Sequence, residues 1–74
     1  MKRNTDISKF IKTMRKRVGL TQEQLSARAG VGLRFIREME QGKQTLQMDK
    51  VNQVLFLFGH RLGPVKINAD EENE

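Results

Sequence analysis

Four side chains between residues 33 and 38 carry groups that can distinguish the edges of nucleobases. They are Leu33, Arg34, Arg37 and Glu38. An arginine can donate two hydrogen bonds to O6 and N7 of guanine, a glutamate can accept one from the N4 amino group of cytosine, and a leucine can contact the thymine methyl group. Arg34 is the first candidate for a base contact and Arg37 the second. Arg37 has two other uses, since it can hold a phosphate or pair with Glu40.

These side chains act together only if a helix presents them on one face, and their surroundings predict such a helix. Thr21 is suited to cap a helix over residues 22–29, which Gly30 would end. A second helix over residues 33–41 would follow, and Gly42 can supply its left-handed stop. Two helices joined by a short turn that contains glycine are typical of a helix-turn-helix, whose second helix enters the major groove of DNA.

Two further helices are predicted around this pair, from Ile7 to Val18 and from Met48 to Phe58. Each has apolar residues at helical spacing, which indicates one inner face. The first has Ile7, Phe10, Ile11, Met14 and Val18; the other has Met48, Val51, Val54, Leu55 and Phe58. Phe35 is expected either to pack against the last helix, which is favoured, or to touch a thymine methyl group.

Other polar residues are placed to contact DNA phosphates. Gln22 would lie in the first turn of its helix, where its side-chain amide and free backbone N–H groups can reach a phosphate. An ordinary polar residue of a first turn is the alternative. Lys43 and Thr45 would lie in the loop after Gly42, and the basic end of the first helix supplies Lys16 and Arg17. Some of these residues would be bystanders on a solvated face.

The distribution of charge favours a polyanionic partner. The formal net charge is +5, and residues 1–20 contain seven lysines or arginines against one acid, Asp6. The last five residues contain four acids, so the rest of the chain carries +9. A small domain this basic favours nucleic acid as its partner, and a plain solvated surface is the alternative.

Several other classes of protein are disfavoured. The absence of cysteine excludes disulfides, thiolate zinc sites and cysteine nucleophiles. The apolar run over residues 54–58 is far shorter than the roughly 20 residues that span a bilayer, and the charged N-terminus lacks a secretory signal. No nucleophile–base pair or metal-ligand cluster is visible, and His60 is expected to be a solvated loop residue. We therefore expect a cytoplasmic, nucleoid-associated bacterial protein that is not an enzyme and has no metal, cofactor or small-molecule ligand.

The segment 61–67 differs from the helices before it. Val65 and Ile67 alternate around a lysine, which is a weak strand signal, and Pro64 restricts such a strand to an edge or to its first residue. The strand could pair with the same strand of a second copy across a two-fold axis. An extended tail that lies on the surface is an equal alternative.

The sequence from about residue 7 to residue 60 resembles a known family. The run Leu20-Thr21-Gln22-x-x-Leu25-x-x-x-Ala29-Gly30-Val31, followed by Ile36 and Glu40-x-Gly42, is similar to the phage-repressor-like (Cro/C1, or XRE) helix-turn-helix family. The resemblance implies a compact bundle of about five helices, sequence-specific DNA binding and a dimer on a pseudo-palindromic operator. Gly32 departs from the Ser, Thr or Lys common at that position, so any contact of that side chain is lost.

The resemblance also implies a structural role for two charged residues. At the positions of Arg15 and Glu40, related repressors form a partly buried ion pair that joins the first helix to the end of the recognition helix. We therefore predict that Arg15 pairs with Glu40 and holds the recognition helix in place.

The C-terminal part of the chain points to a narrower group. A single helix follows the motif, and then Gly59 and a strand-like segment, which is more similar to the small HipB-like antitoxins. That similarity implies an autoregulated toxin–antitoxin operon, a HipA-type serine/threonine kinase as partner and a short intermolecular sheet in the dimer. A stand-alone XRE regulator without a toxin is the alternative. An interaction adaptor that does not bind DNA is a third hypothesis, which the outward Arg34 and Arg37 disfavour.

We thus predict an all-α, lambda-repressor-like bundle of about four or five helices with a short C-terminal β-strand. Phe56 and Leu57 fall outside the inner stripe of the last helix, so we expect them in the dimer interface with Val65 and Ile67, or else under the C-terminal segment of the same chain. The predicted parts are a flexible basic N-terminus (1–6), a helix-turn-helix DNA-binding domain (7–60), a dimerisation strand (61–67) and a disordered acidic tail (68–74).

Overall fold

Four α-helices follow one another in the computed structural model, which describes residues 5–67. They are α1 (Thr5–Val18), α2 (Gln22–Ala29), α3 (Leu33–Glu40) and α4 (Met48–Phe56). The prediction of an all-α bundle is confirmed. The expectations for residues 1–4 and for the acidic tail 68–74 lie outside the described residues. Residues 5 and 6, which we expected to be flexible, form the start of α1. The negative charge of the Asp6 carboxylate in the first turn interacts favourably with the positive end of the helix dipole.

Local signals define both ends of α2. The Gln24 N–H donates to Thr21 Oγ1 at 3.0 Å, and the Thr21 N–H donates back to Gln24 Oε1 at 2.9 Å, which is a capping box. At the other end Gly30 adopts φ +74°, a left-handed conformation that favours glycine. Ser26 Oγ then donates to the carbonyl of Val31 at 2.7 Å and braces the turn into α3.

The core lies where the four helices meet. Its buried apolar residues are Ile11, Leu25, Ile36, Met39, Val51, Val54 and Leu55. Phe35 is partly buried against this cluster, which agrees with the favoured expectation of packing. The helix pair is the centre of the fold, because α3 packs against both α2 and α1. The core therefore fixes the orientation of α3 from its inner face.

Two residues of the expected apolar stripes are exposed. Met48 is 68% exposed and Val18 is 54% exposed. Both lie at the end of a helix, where the periodicity continues but no other element of residues 5–67 packs over the side chain. Helical spacing alone therefore overestimates burial at helix ends.

The expected C-terminal strand is absent from the described chain. Residues 61–67 have no strand pairing, because a strand needs a partner ladder and the four-helix chain offers none. The segment is instead held to α4, where Leu62 N–H donates to Asn52 Oδ1 at 2.7 Å. Beyond that contact Val65 is 84% exposed and Ile67 is 52% exposed.

Helix α4 ends at Phe56, two residues before the predicted end. The chain tightens there, since Leu57, Phe58 and Gly59 each donate a backbone hydrogen bond to the residue three positions earlier. Phe56 is 78% exposed and Leu57 is 45% exposed, so residues 61–67 leave both side chains largely uncovered.

His60 follows this turn and is exposed, as expected for a loop residue. Its ring nevertheless packs on Phe10 with 4.6 Å between the ring centroids. Within residues 5–67 no three metal-ligating side chains cluster, and none of the helices is long and apolar enough to cross a membrane.

Candidate nucleic-acid interface

Helix α3 has one buried face and one face of charged residues. Ile36 and Met39 are fully buried, while Arg34 and Arg37 on the other side are exposed. Leu33 and Glu38, the other two proposed base contacts, are half-buried. The spacing of the four follows from the helical period, which puts residues three and four apart on the same side. The exposed side thus offers hydrogen-bond donors and a carboxylate on a rigid helix.

A partly buried ion pair holds the C-terminal end of this helix. Arg15 Nε donates to Glu40 Oε2 at 2.6 Å, and Arg15 Nη2 donates to Glu40 Oε1 at 3.0 Å. The Glu40 side chain is 3% exposed and that of Arg15 is 13% exposed. Arg15 Nη1 also donates to the Leu20 carbonyl at 2.9 Å. One guanidinium therefore joins α1, the turn before α2 and the end of α3.

The same contacts set the charge state of Arg15. The hydrogen bond that Arg15 donates to Glu40 raises the pKa of the guanidinium, burial works in the opposite direction, and the charge of Glu40 adds to the increase. A raised pKa means that, as far as the protonation of Arg15 is concerned, the stability contributed by this charge is fully present below the usual arginine range. It would be lost only in strong alkali, as the pH rises through the folded-state pKa.

Gln22 also contacts this ion pair, a contact that the sequence did not reveal. Its Nε2 donates to Glu40 Oε1 at 3.1 Å. A carboxylate only accepts hydrogen bonds, so the amide nitrogen of Gln22 must face Glu40. One hydrogen of that nitrogen remains for another acceptor. The backbone N–H groups of Gln22 and Glu23 have no intrahelical acceptor at this helix start.

A second charged group lies on the exposed side of α3, and we call it the charged cluster: Arg34, Glu38 and Lys43. Glu38 Oε2 lies 3.4 Å from Arg34 Nε and 3.3 Å from Lys43 Nζ. The turn after α3 brings Lys43 into reach, since Gly42 has φ +85° and the Lys43 N–H donates to the Glu38 carbonyl at 3.1 Å. A proposed base contact and a proposed phosphate contact therefore share one carboxylate.

The other candidates occupy separate elements. Lys16 and Arg17 are exposed in the last turn of α1, directly after Arg15. Thr45 is exposed in the loop between α3 and α4. Arg37 forms no ion pair within residues 5–67, because the Glu40 carboxylate that could have received it is held by Arg15 and Gln22. The alternative pairing of Arg37 with Glu40 is therefore not seen.

A protein-family comparison agrees with this architecture. The model of the family described as helix-turn-helix (HTH_3) matches residues 11–55, which run from the middle of α1 to the end of α4. The chain belongs to this helix-turn-helix family, of the phage-repressor-like XRE type. In the nomenclature of this family, α2 and α3 form the helix-turn-helix motif, and α3 is the recognition helix.

A curated relative supports the same membership. The chain is 46% identical over 59 residues to the uncharacterized HTH-type transcriptional regulator y4mF of Sinorhizobium fredii (strain NBRC 101917 / NGR234). The matched region covers 80% of this chain and 78% of that protein. The resemblance to the XRE helix-turn-helix family is thus confirmed over most of the chain.

Proposed function

We propose that this helix-turn-helix protein is a sequence-specific DNA-binding transcriptional repressor. The observation that carries the proposal is the exposed side of α3, where Arg34 and Arg37 extend from a helix whose other side is fully buried. A recognition helix contacts base edges with its N-terminal residues, and arginine is the commonest reader of guanine. Family membership and a similarity to an HTH-type transcriptional regulator support the same function.

The proposed contacts divide into two groups. Leu33, Arg34, Arg37 and Glu38 would contact base edges and give sequence preference. Gln22, Lys16, Arg17, Lys43 and Thr45 would contact phosphates and give affinity without sequence preference. For Gln22 the proposal gains support from its contact with Glu40, because the amide hydrogen left over on Nε2 and the backbone N–H groups of the first turn can donate to one phosphate.

The direct test is a selection of binding sites from random duplexes followed by titration. The operator recovered should bind far more tightly than random DNA, and the affinity for both should fall as salt increases. Equal and salt-insensitive binding of the two duplexes would contradict sequence-specific recognition.

We further propose that the protein acts as a homodimer on a pseudo-palindromic operator. Phe56 and Leu57 at the end of α4, together with Val65 and Ile67, are apolar and exposed in the single chain. Their exposure supports an interface between two copies, in which the segments 61–67 could pair as strands. A two-fold dimer would contact half-sites about one helical turn apart, roughly 34 Å.

The narrower proposal is that the repressor is an antitoxin of the HipB-like kind, which autoregulates its operon and holds a HipA-type kinase inactive. Its support is the resemblance of the chain after the motif, where one helix is followed by a segment that finds no strand partner within residues 5–67. Gentle purification of the tagged chain from its native cell tests this. A serine/threonine kinase recovered in a stoichiometric complex, and inhibited by the chain, would support the antitoxin. Recovery of the chain alone, still specific for its operator, would leave a stand-alone regulator.

A further inference from the structure

The charged cluster is produced by the way that α3 ends. Arg34 and Glu38 are four residues apart on the helix, so their side chains meet on one face. The left-handed Gly42 turns the chain back, and the Lys43 N–H bonds to the carbonyl of Glu38 itself. The backbone thereby keeps the Lys43 side chain beside the same residue, where Nζ lies 3.3 Å from the carboxylate.

Glu38 occupies the middle of this cluster. Its side chain is 26% exposed, against 91% for Arg34 and 46% for Lys43, so Glu38 is the least exposed member of the cluster. Arg37, which is also exposed on α3, forms no ion pair within the described chain. Glu38 therefore pairs with Arg34 and Lys43 and leaves Arg37 available for another partner.

A carboxylate in this position has opposite effects on different DNA sequences. DNA presents mainly acceptors and phosphates, and a carboxylate that faces them without a partner is repelled. If Arg34 and Lys43 turn to DNA, Glu38 loses some of their neutralisation. A cytosine amino group is a donor that can compensate for this loss, and few positions of a random duplex provide one in the right place.

We infer that Glu38 is a specificity-determining residue that acts mainly against non-target DNA. In the free protein it holds Arg34 and Lys43, and on a sequence without a suitable donor it opposes their release to the duplex. On the operator a base donor replaces the two cations. The inference rests on the proposed function, because it assumes that α3 contacts DNA.

The test compares Glu38→Gln with Glu23→Gln, which makes the same change of charge at an exposed position of α2 that forms no ion pair within residues 5–67. Affinities for the selected operator and for a random duplex are measured by fluorescence anisotropy at several salt concentrations. We expect Glu38→Gln to bind random DNA about three to ten times more tightly than the wild type, because one or two exposed ion pairs no longer have to be broken. Its affinity for the operator should not increase. The ratio of the two affinities should therefore fall.

The salt dependence provides a second readout that a purely structural role would not change. In the wild type, the carboxylate left behind on random DNA takes up a cation and offsets part of the counterion release. For Glu38→Gln the slope of log K against log salt with random DNA should therefore become steeper by up to about one. Thermal unfolding of both variants shows whether either effect comes from a change of fold.

The outcomes separate the inference from the proposed function. An equal rise in the affinity of Glu38→Gln for operator and for random DNA would overturn the role of Glu38. So would the same fall in the ratio of the two affinities in Glu23→Gln. A wild-type protein without any preference for a selected sequence would overturn the proposed function instead. A loss of preference confined to Glu38→Gln, with the fold intact, would support the inference.

Discussion

At the scale of single residues, one buried carboxylate organises the helix pair. Glu40 accepts two hydrogen bonds from Arg15 and one from Gln22, although these residues lie 25 and 18 positions away. A buried charge that loses its partner is left without solvation, so the pair is costly to break from one side. The recognition helix is therefore held at its C-terminal end by charge and along its inner face by apolar packing.

Replacing Arg15 by Met should destabilise the fold, because Glu40 would remain buried with only the Gln22 amide as a partner. We expect a loss of about 3–5 kcal/mol in the free energy of unfolding, measured by chemical denaturation. Arg15→Lys keeps the charge but not the planar fork, so its loss should be smaller and the protein should remain measurable.

Arg17→Met is the matched control for this prediction. Arg17 is exposed and forms no ion pair within residues 5–67, so its replacement should change stability little. Arg15→Met with wild-type stability and wild-type DNA binding would show that the ion pair does not hold the recognition helix.

Two cations of the charged cluster should behave differently on DNA. Arg34→Ala removes a proposed base contact, so it should cost about 1–3 kcal/mol on the operator and relax the preference at one base position. Lys43→Ala removes a proposed phosphate contact, so it should weaken all sequences alike and lower the salt slope by about one. Binding titrations with operator variants at several salt concentrations measure both. If the two variants lost affinity in the same pattern, the division between base and phosphate contacts would be wrong.

At the scale of elements, the start of α2 depends on its capping box. Thr21 and Gln24 satisfy each other's backbone N–H groups, and this turn also places Gln22 beside Glu40. Helix α3 starts at Leu33, and the preceding Gly32 provides no side-chain cap. The helix that carries the base contacts is therefore held by its neighbours rather than by its own first turn.

Thr21→Ala should therefore lower stability by about 0.5–2 kcal/mol, because the Gln24 N–H loses its acceptor. Thermal and chemical unfolding measure the change. Thr13→Ala, at an exposed position inside α1, makes the same chemical change and should be neutral or slightly stabilising, since alanine is the better helix former. Equal effects at the two positions would mean that the capping box contributes nothing to stability.

At the scale of the whole molecule, apolar side chains remain exposed after the core is complete. The core uses residues from all four helices, yet Phe56 is 78% exposed and Val65 is 84% exposed. Exposed side chains of this size favour association when they lie together on a surface. Because no other part of residues 5–67 covers them, a second copy is the occupant that we propose.

Phe56→Glu should shift the protein towards a monomer, because the new charge would have to be buried in the proposed interface. Light scattering over a range of concentrations measures the change in mass. Val18→Glu, at another exposed apolar position far from α4 in the sequence, should leave the oligomeric state unchanged. A dimer that persists in Phe56→Glu would exclude this residue from the interface.

The sequence by itself determined the features that depend on neighbours along the chain. The cap at Thr21, the left-handed stops at Gly30 and Gly42 and the spacing of Arg34 and Glu38 involve residues within a few positions of each other. Hydrogen bonds of this range form inside one turn, so residue types and spacing suffice to predict them. The helix pair, and with it the family, followed from these signals.

Apart from the Arg15–Glu40 pair, which the family resemblance had predicted, only the tertiary structure decided which distant groups meet. The contact of Gln22 with Glu40 and the exposure of Met48 depend on how the helices pack, which spacing along one helix does not specify. The segment 61–67 shows the same limit, since its alternation suits a strand but a strand exists only with a partner. Burial and long-range hydrogen bonds belong to the packed molecule, because each requires a surface that another part of the chain supplies.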